Sequence, residues 1–114
     1  VPAANRLKIN VQETKAGTVI HLAGAAGSVE SDSLEKALRG VTERQPSVAV
    51  VDLSDCESLC TLAIGALVYM YRAMTKQGGS MRIASPKPMV LDSFRRACLH
   101  EVFSIFPSVE TALK

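Results

Sequence analysis

The stretch Val48-Ala-Val-Val-Asp-Leu-Ser-Asp-Cys-Glu-Ser-Leu-Cys-Thr-Leu-Ala-Ile-Gly-Ala-Leu-Val68 decides how the chain folds. Its first part, Val48 to Leu53, is a nearly continuous apolar run, which a strand carries when both faces of its sheet are covered. It therefore reads as a central strand. Ser54 to Cys60 reads as a loop, and Thr61 or Leu62 opens an apolar helix lasting to about Gln77. Gly78-Gly79 stops that helix, because glycine reaches the left-handed conformation that closes a helix end.

Upstream, Leu7-Lys-Ile-Asn-Val11 alternates with a period of two, and Thr18-Val-Ile-His-Leu-Ala23 continues the style after a turn at Gly17. The two predict an N-terminal hairpin. Gly24-Ala-Ala-Gly27 breaks the pattern, and Asp32 with Glu35 three residues later reads as a capping box for a first helix. Leu34, Ala37, Leu38 and Val41 give that helix its buried face. Downstream, Met81 to Ala84 is a short strand, and Pro86 and Pro88 bracket the entry of a third helix whose buried face holds Val90, Leu91, Phe94 and Ala97. Val102 to Phe106 reads as a last strand. Ser108 to Leu113 reads as a terminal helix capped by Ser108 with Thr111 or Glu110. Strands alternating with helices after a hairpin predict an α/β fold: a mixed β-sheet of about four to five strands, with about four to five helices packed against it.

The 114 residues fit one domain, 1–114, with a core that must be aliphatic, since 47% are apolar but only 4% aromatic and tryptophan is absent. Net charge is only +2, and the basic residues, among them Arg6, Lys8, Lys36, Arg39, Arg72, Lys76, Arg82, Arg95 and Arg96, are spread along the chain. Nucleic-acid backbones are recognised by concentrated positive charge, so no nucleic-acid partner is expected. Leu59 to Met74 falls short of the roughly 20 apolar residues that span a bilayer and is interrupted by Thr61, Gly65, Tyr69, Tyr71 and Arg72, so no membrane insertion is expected. Three cysteines and no signal-like leader point to free thiols in a reducing compartment, with the cytoplasm as the expected location.

A thiol at a helix start feels the positive end of the helix dipole, which would make Cys60 a nucleophile. Its rival reading is a small apolar residue filling a gap under the helix. Neither His21 nor His100 is placed beside Cys60 by any sequence cue, and Cys56-x3-Cys60 lacks the second pair of a metal site, so no metal or cofactor is expected. Gly24-Ala-Ala-Gly-Ser28 lacks the lysine and spacing of a phosphate-binding loop. Asp52, Asp55 and Glu57 cluster near the end of the central strand, where ligands bind in open α/β sheets; turn and capping roles suit them better. Thr61 has two readings. It is a plain N-cap, or it is a switch whose phosphate would gain from the helix N-terminus while adding roughly −1.5 to −2 charges to the surface.

From Val50-Val-Asp-Leu-Ser-Asp-Cys-Glu-Ser-Leu-Cys-Thr-Leu-Ala-Ile-Gly65 through the Gly78-Gly79 turn and the Pro86/Pro88 helix entry to Ser108-Val-Glu-Thr-Ala-Leu113, the chain resembles the STAS domain of bacterial anti-sigma-factor antagonists. The resemblance runs from about Leu7 to Leu113. In that family a strand ending in Asp-Leu-Ser leads to an Asp-Ser-x-Gly motif at a helix start. The motif's acidic residue falls here at Cys60, its phosphoacceptor at Thr61, and the next two at Leu62 and Ala63. An acid that members often carry in the loop after the second strand falls at about Gly27. The resemblance implies a non-enzymatic module for transcription regulation by partner switching. It would bind an anti-sigma factor that is a serine-protein kinase, with Thr61 as the candidate phosphoacceptor, a PP2C-type phosphatase as a further partner and a homodimer as a candidate state. The expected contact residues are Ser54, Asp55, Ser58, Leu59, Cys60, Leu62 and Gly65. Gly65 would leave room for the backbone of a partner or of the chain's own sheet. STAS domains also serve membrane transporters, including lipid-transport ABC systems, as accessory parts without phosphorylation, which is the alternative the altered motif allows.

Overall fold

The computed structural model describes residues 7–114. The elements follow in the order β1 (Lys8–Glu13), β2 (Thr18–Ala26), α1 (Ser31–Glu43), β3 (Val48–Leu59), α2 (Thr61–Lys76), β4 (Ser80–Ala84), α3 (Pro88–Arg96), β5 (Ser104–Phe106) and α4 (Val109–Ala112). They form one five-stranded sheet in the order β1-β2-β3-β4-β5. The hairpin β1/β2 is antiparallel, and every later pair is parallel. This is the mixed α/β architecture expected from the sequence.

The strand order explains the layers. From β2 to β5 each strand is laid on the same side of its predecessor, and parallel crossovers are right-handed, so the three intervening helices must all fall on one face. The main core confirms this, joining Leu34, Leu38 and Val41 of α1 with Ala63, Leu67, Met70 and Met74 of α2 and Val90 and Phe94 of α3. Ile20, Leu22, Val51, Leu53 and Ile83 meet them from the sheet. Each large aliphatic side chain buried in this way contributes roughly 1.5–3 kcal/mol, which is what holds the helices to the sheet.

The opposite face is covered over a smaller area. There α4 sets Ala112 on Val19, Val50 and Ala84, with Val109 and Leu113 packed at the rim. So short a helix needs help, and Ser108 supplies it in a capping box with Thr111, one of the two partners expected. Arg82 Nη1 donates to the Ala112 carbonyl at 2.6 Å, tying the helix end to β4.

Several boundaries differ from the sequence reading. β2 does not stop at Ala23 but runs through Gly24, at φ +98°, to Ala26. Ser54 to Cys60 is not a loop: β3 continues to Leu59. The cause is irregular pairing. His21↔Asp52 is followed by Ala23↔Asp55, and Gly24↔Cys56 by Ala25↔Ser58, so β3 takes up two extra residues against β2 and loses its alternation. The Asp32/Glu35 capping box is absent, since Glu30 is the N-cap of α1 without a side-chain bond and Ser31 Oγ instead donates to the Ser28 carbonyl at 2.7 Å. On α3, Val90 and Phe94 are buried as expected, but Leu91 is only half-buried and Ala97 is exposed. Val102 and Phe103 are not in β5. Their N–H groups bond the Leu99 carbonyl, and Phe103 turns inward to meet Phe94 and Tyr71 edge-on, with ring centroids 5.4 and 5.7 Å apart.

Candidate functional site

The irregular end of β3 sets the position of the helix that follows. Cys56 and Leu59 both join the main core although three residues apart, a spacing that puts side chains on opposite faces of a regular strand and that the second bulge brings to one face. Cys60 N–H then donates to the Ala26 carbonyl at 2.9 Å, fastening the end of β3 to the end of β2. Cys60 has extended backbone (φ −76°, ψ 170°), and its carbonyl accepts from Ile64 N–H at 3.0 Å. It is thus the N-cap of α2, without a side-chain bond to the helix. Thr61 is the first helical residue and exposed, so it does not cap the helix.

Two grooves meet at Thr61. One, of about 440 Å³, runs between the start of α2 and α3 and is lined by Leu59, Cys60, Thr61, Ile64, Ser93, Arg96 and Ala97. The other, of about 330 Å³, lies between α2 and α1 and is lined by Thr61, Leu62, Gly65, Ala66, Tyr69 and Glu35. Leu62 is 61% exposed and Tyr69 54%, two turns further along the same side of α2. Gly65 lies between them, and a Cβ placed there would meet nothing within 4 Å. The space it leaves faces outward, not toward the sheet.

Charge around the site is asymmetric. The first turn of α2 holds no acid. On the α1 side, Glu35 is ion-paired with Arg39. The loop after β2 has a carboxylate after all: Glu30 folds back so that both its oxygens lie 3.8 Å from where a Cβ on Gly27 would stand. On the α3 side, Arg96 forms no ion pair among the described residues. Sequence reasoning missed both Glu30 and Arg96, because neither falls on a motif position.

The other expected contact residues scatter. Cys60, Thr61, Leu62 and Gly65 come together around the two grooves, with Leu59 at the floor of the first. Ser58 is half-buried on β3. Ser54 and Asp55 are exposed at the first bulge, up to about 20 Å along the strand from Thr61, and line neither groove.

The thiols divide in the same manner. Cys56, not Cys60, fills the gap under the helices, and burial pushes its thiol up to about 11. Cys60 is half-buried at the groove wall. Both ring nitrogens of His21 are engaged elsewhere, Nδ1 with Asp52 Oδ2 at 2.8 Å and Nε2 with Gln12 Oε1 at 3.3 Å. His100 is 4.0 Å from Glu101. Among the described residues no three His, Cys, Asp or Glu side chains gather as a metal site, and no helix is long and apolar enough to cross a membrane.

The family profile described as the STAS domain matches residues 8–112. The chain belongs to the STAS-domain family. Solved structures share its fold. An anti-sigma factor antagonist from Mycobacterium paratuberculosis is 23% identical with a TM-score of 0.88, over 99% of this chain and 96% of that one. The anti-sigma factor antagonist SpoIIAA of Bacillus, in its unphosphorylated form, is 14% identical with a TM-score of 0.80, over 93% of each chain. A sulfate transporter family protein from Wolinella succinogenes is 16% identical with a TM-score of 0.71, over 83% of this chain and 80% of that one. No curated protein sequence matches this STAS domain.

Proposed function

We propose that this STAS domain is a non-enzymatic cytoplasmic interaction module that docks an anti-sigma factor of the serine-protein-kinase type through the start of α2, with Thr61 as the phosphoacceptor. One observation carries the reading. An exposed hydroxyl at the first residue of α2 stands beside an exposed apolar stripe, Leu62 and Tyr69, opened by Gly65. Large exposed apolar side chains grouped on one face mark a surface that another protein covers. A phosphate at the edge of such a surface opposes docking, since burying roughly −1.5 to −2 charges against apolar groups is costly. SpoIIAA, of the same fold, has been solved in phosphorylated and unphosphorylated forms, which supports placing a phosphate in this fold.

Phosphorylation would move the γ-phosphoryl group of ATP to Thr61 Oγ1. ADP leaves and the hydroxyl proton passes to a base of the kinase. A phosphatase of the PP2C type would restore the hydroxyl. The test is incubation with candidate partner kinases and ATP, followed by intact-mass measurement and a binding assay. One added phosphate, lost in Thr61→Val, and binding abolished by Leu62→Arg are expected. Unchanged binding by Leu62→Arg overturns the face, and no added phosphate overturns the switch.

The sulfate-transporter likeness keeps a second reading, an accessory part of a membrane transporter that works without phosphorylation. The altered motif favours it, since Cys60 stands at the acidic position before Thr61 and Ala63 at the glycine position. Permease or ATPase genes beside this one would support it, and sigma-factor and kinase genes would count against it.

A further inference from the structure

We propose that Arg96 is the intramolecular receptor of the phosphate on Thr61, so that phosphorylation braces α2 to α3; this rests on the reading of Thr61 as phosphoacceptor. The two residues line opposite walls of the same groove, Thr61 at the start of α2 and Arg96 in the last turn of α3. Arg96 is exposed and forms no ion pair among the described residues, although Asp92, one turn earlier on α3, lines a neighbouring groove with it. A guanidinium matches phosphate geometry with two parallel hydrogen bonds. Ser93, one turn earlier on α3, adds a hydroxyl to the same wall, at present donating to the Met89 carbonyl at 3.2 Å.

The charges on the other side decide the direction. Toward α1, Thr61 shares its groove with the Glu35 carboxylate, and the Glu30 carboxylate lies over Gly27 beside the Ala26–Cys60 junction. Glu35 is offset by Arg39, whereas Glu30 forms no ion pair among the described residues. Repulsion from that side and attraction from α3 therefore act together. Cys60, the N-cap of α2, puts a thiol beside Thr61 in this groove where an acid would oppose the anion. The phosphate leans into the α2–α3 groove while staying at the edge of the docking surface, since Thr61 lines both grooves.

The experiment uses phosphothreonine incorporated at position 61 during translation, so its outcome does not depend on any kinase or partner. The second ionisation of the phosphate, ordinarily near pH 6, is followed by 31P NMR in the otherwise unchanged chain and with Arg96→Gln or Arg95→Gln. Arg95 is its neighbour in sequence but does not line this groove, so it reports the general loss of one charge. Nearby positive charge favours the dianion. Arg96→Gln is expected to raise the midpoint by roughly half a unit to one unit, a modest size because the groove is open to water, and Arg95→Gln by much less. Equal midpoints in the unchanged and Arg96→Gln chains, or an equal rise from both substitutions, overturn the proposal. A failure of the kinase to phosphorylate Thr61 would overturn the earlier reading and leave these curves as they are.

Discussion

His21 Nδ1 lies 2.8 Å from Asp52 Oδ2 across the parallel pair β2/β3, and the other oxygen of Asp52 accepts the Ser54 N–H at 3.1 Å. One carboxylate, with its side chain 12% exposed, thus joins two strands at the point where β3 begins to bulge. Asp52→Ala removes the partner of an exposed backbone donor and of a half-buried imidazole, both of which water can reach, so the loss is about 0.5–1.5 kcal/mol. The expected result is that much lower stability in urea unfolding, with faster amide exchange over Ser54 to Leu59. Asp52→Asn keeps an acceptor and should lose less. Equal stability of all three proteins would show that the bulge is set by packing alone.

That pair also shows where the sequence stops being legible. His21 read as a strand residue and Asp52 as a strand-end carboxylate, yet nothing in the chain announced their register, which arises only after α1 returns β3 beside β2. The run Val48 to Leu53 was legible because covering both faces of a strand makes it continuously apolar, and the stripe Leu34, Leu38, Val41 because burial of one helix face imposes a period of 3.6. Ser54 to Leu59 was not, because two bulges erase the period that identifies a strand. For the candidate site, Thr61 at a helix start was legible from the order of elements. Arg96 was not, since its place beside Thr61 comes from the packing of α3 against the sheet.

The Cys56 thiol gives the domain an alkaline sensitivity. Burial raises it from 9.0 to about 11, so above 9.0 the unfolded chain loses this proton while the folded chain keeps it. Stability then falls as pH rises through the window from 9.0 to about 11, by an amount on the order of 2–3 kcal/mol when complete. Below 9.0 the thiol contributes no slope. Comparing urea unfolding of the protein and Cys56→Ala from pH 8 to 11 isolates the thiol from the lysines and tyrosines that titrate nearby. The difference between the two should shrink with rising pH, and parallel curves would contradict the burial argument.

Gly78 and Gly79 close α2 for different reasons. Gly78 is at φ +85° with open space around it, so Gly78→Ala costs only backbone strain of about 1 kcal/mol. A Cβ on Gly79 would stand 2.8 Å from the Pro46 carbonyl oxygen and 3.1 Å from Met74 Cε, a clash with backbone that cannot rotate away. Gly79→Ala should therefore be the more destabilising, by roughly 1–3 kcal/mol as for other overpacked sites. Thermal unfolding of the two variants gives the order directly, and the reverse order would mean that the α1–β3 connection moves aside.

Gly65 separates stability from binding. It lies inside α2, and Gly40 inside α1, and at both positions an added Cβ would meet nothing within 4 Å. Glycine within a helix is less favourable than alanine by roughly 0.5–1 kcal/mol, so each Gly→Ala change should stabilise the domain by about that much. Their effects on docking should differ. A methyl at Gly65 fills the opening between Leu62 and Tyr69, where the proposed partner approaches, whereas Gly40 does not line that groove. Calorimetric titration with the partner kinase is expected to show weaker binding for Gly65→Ala and unchanged binding for Gly40→Ala. Two stabilised variants with equal affinity would move the docking surface off the α1–α2 groove while leaving Thr61 exposed at the head of the helix.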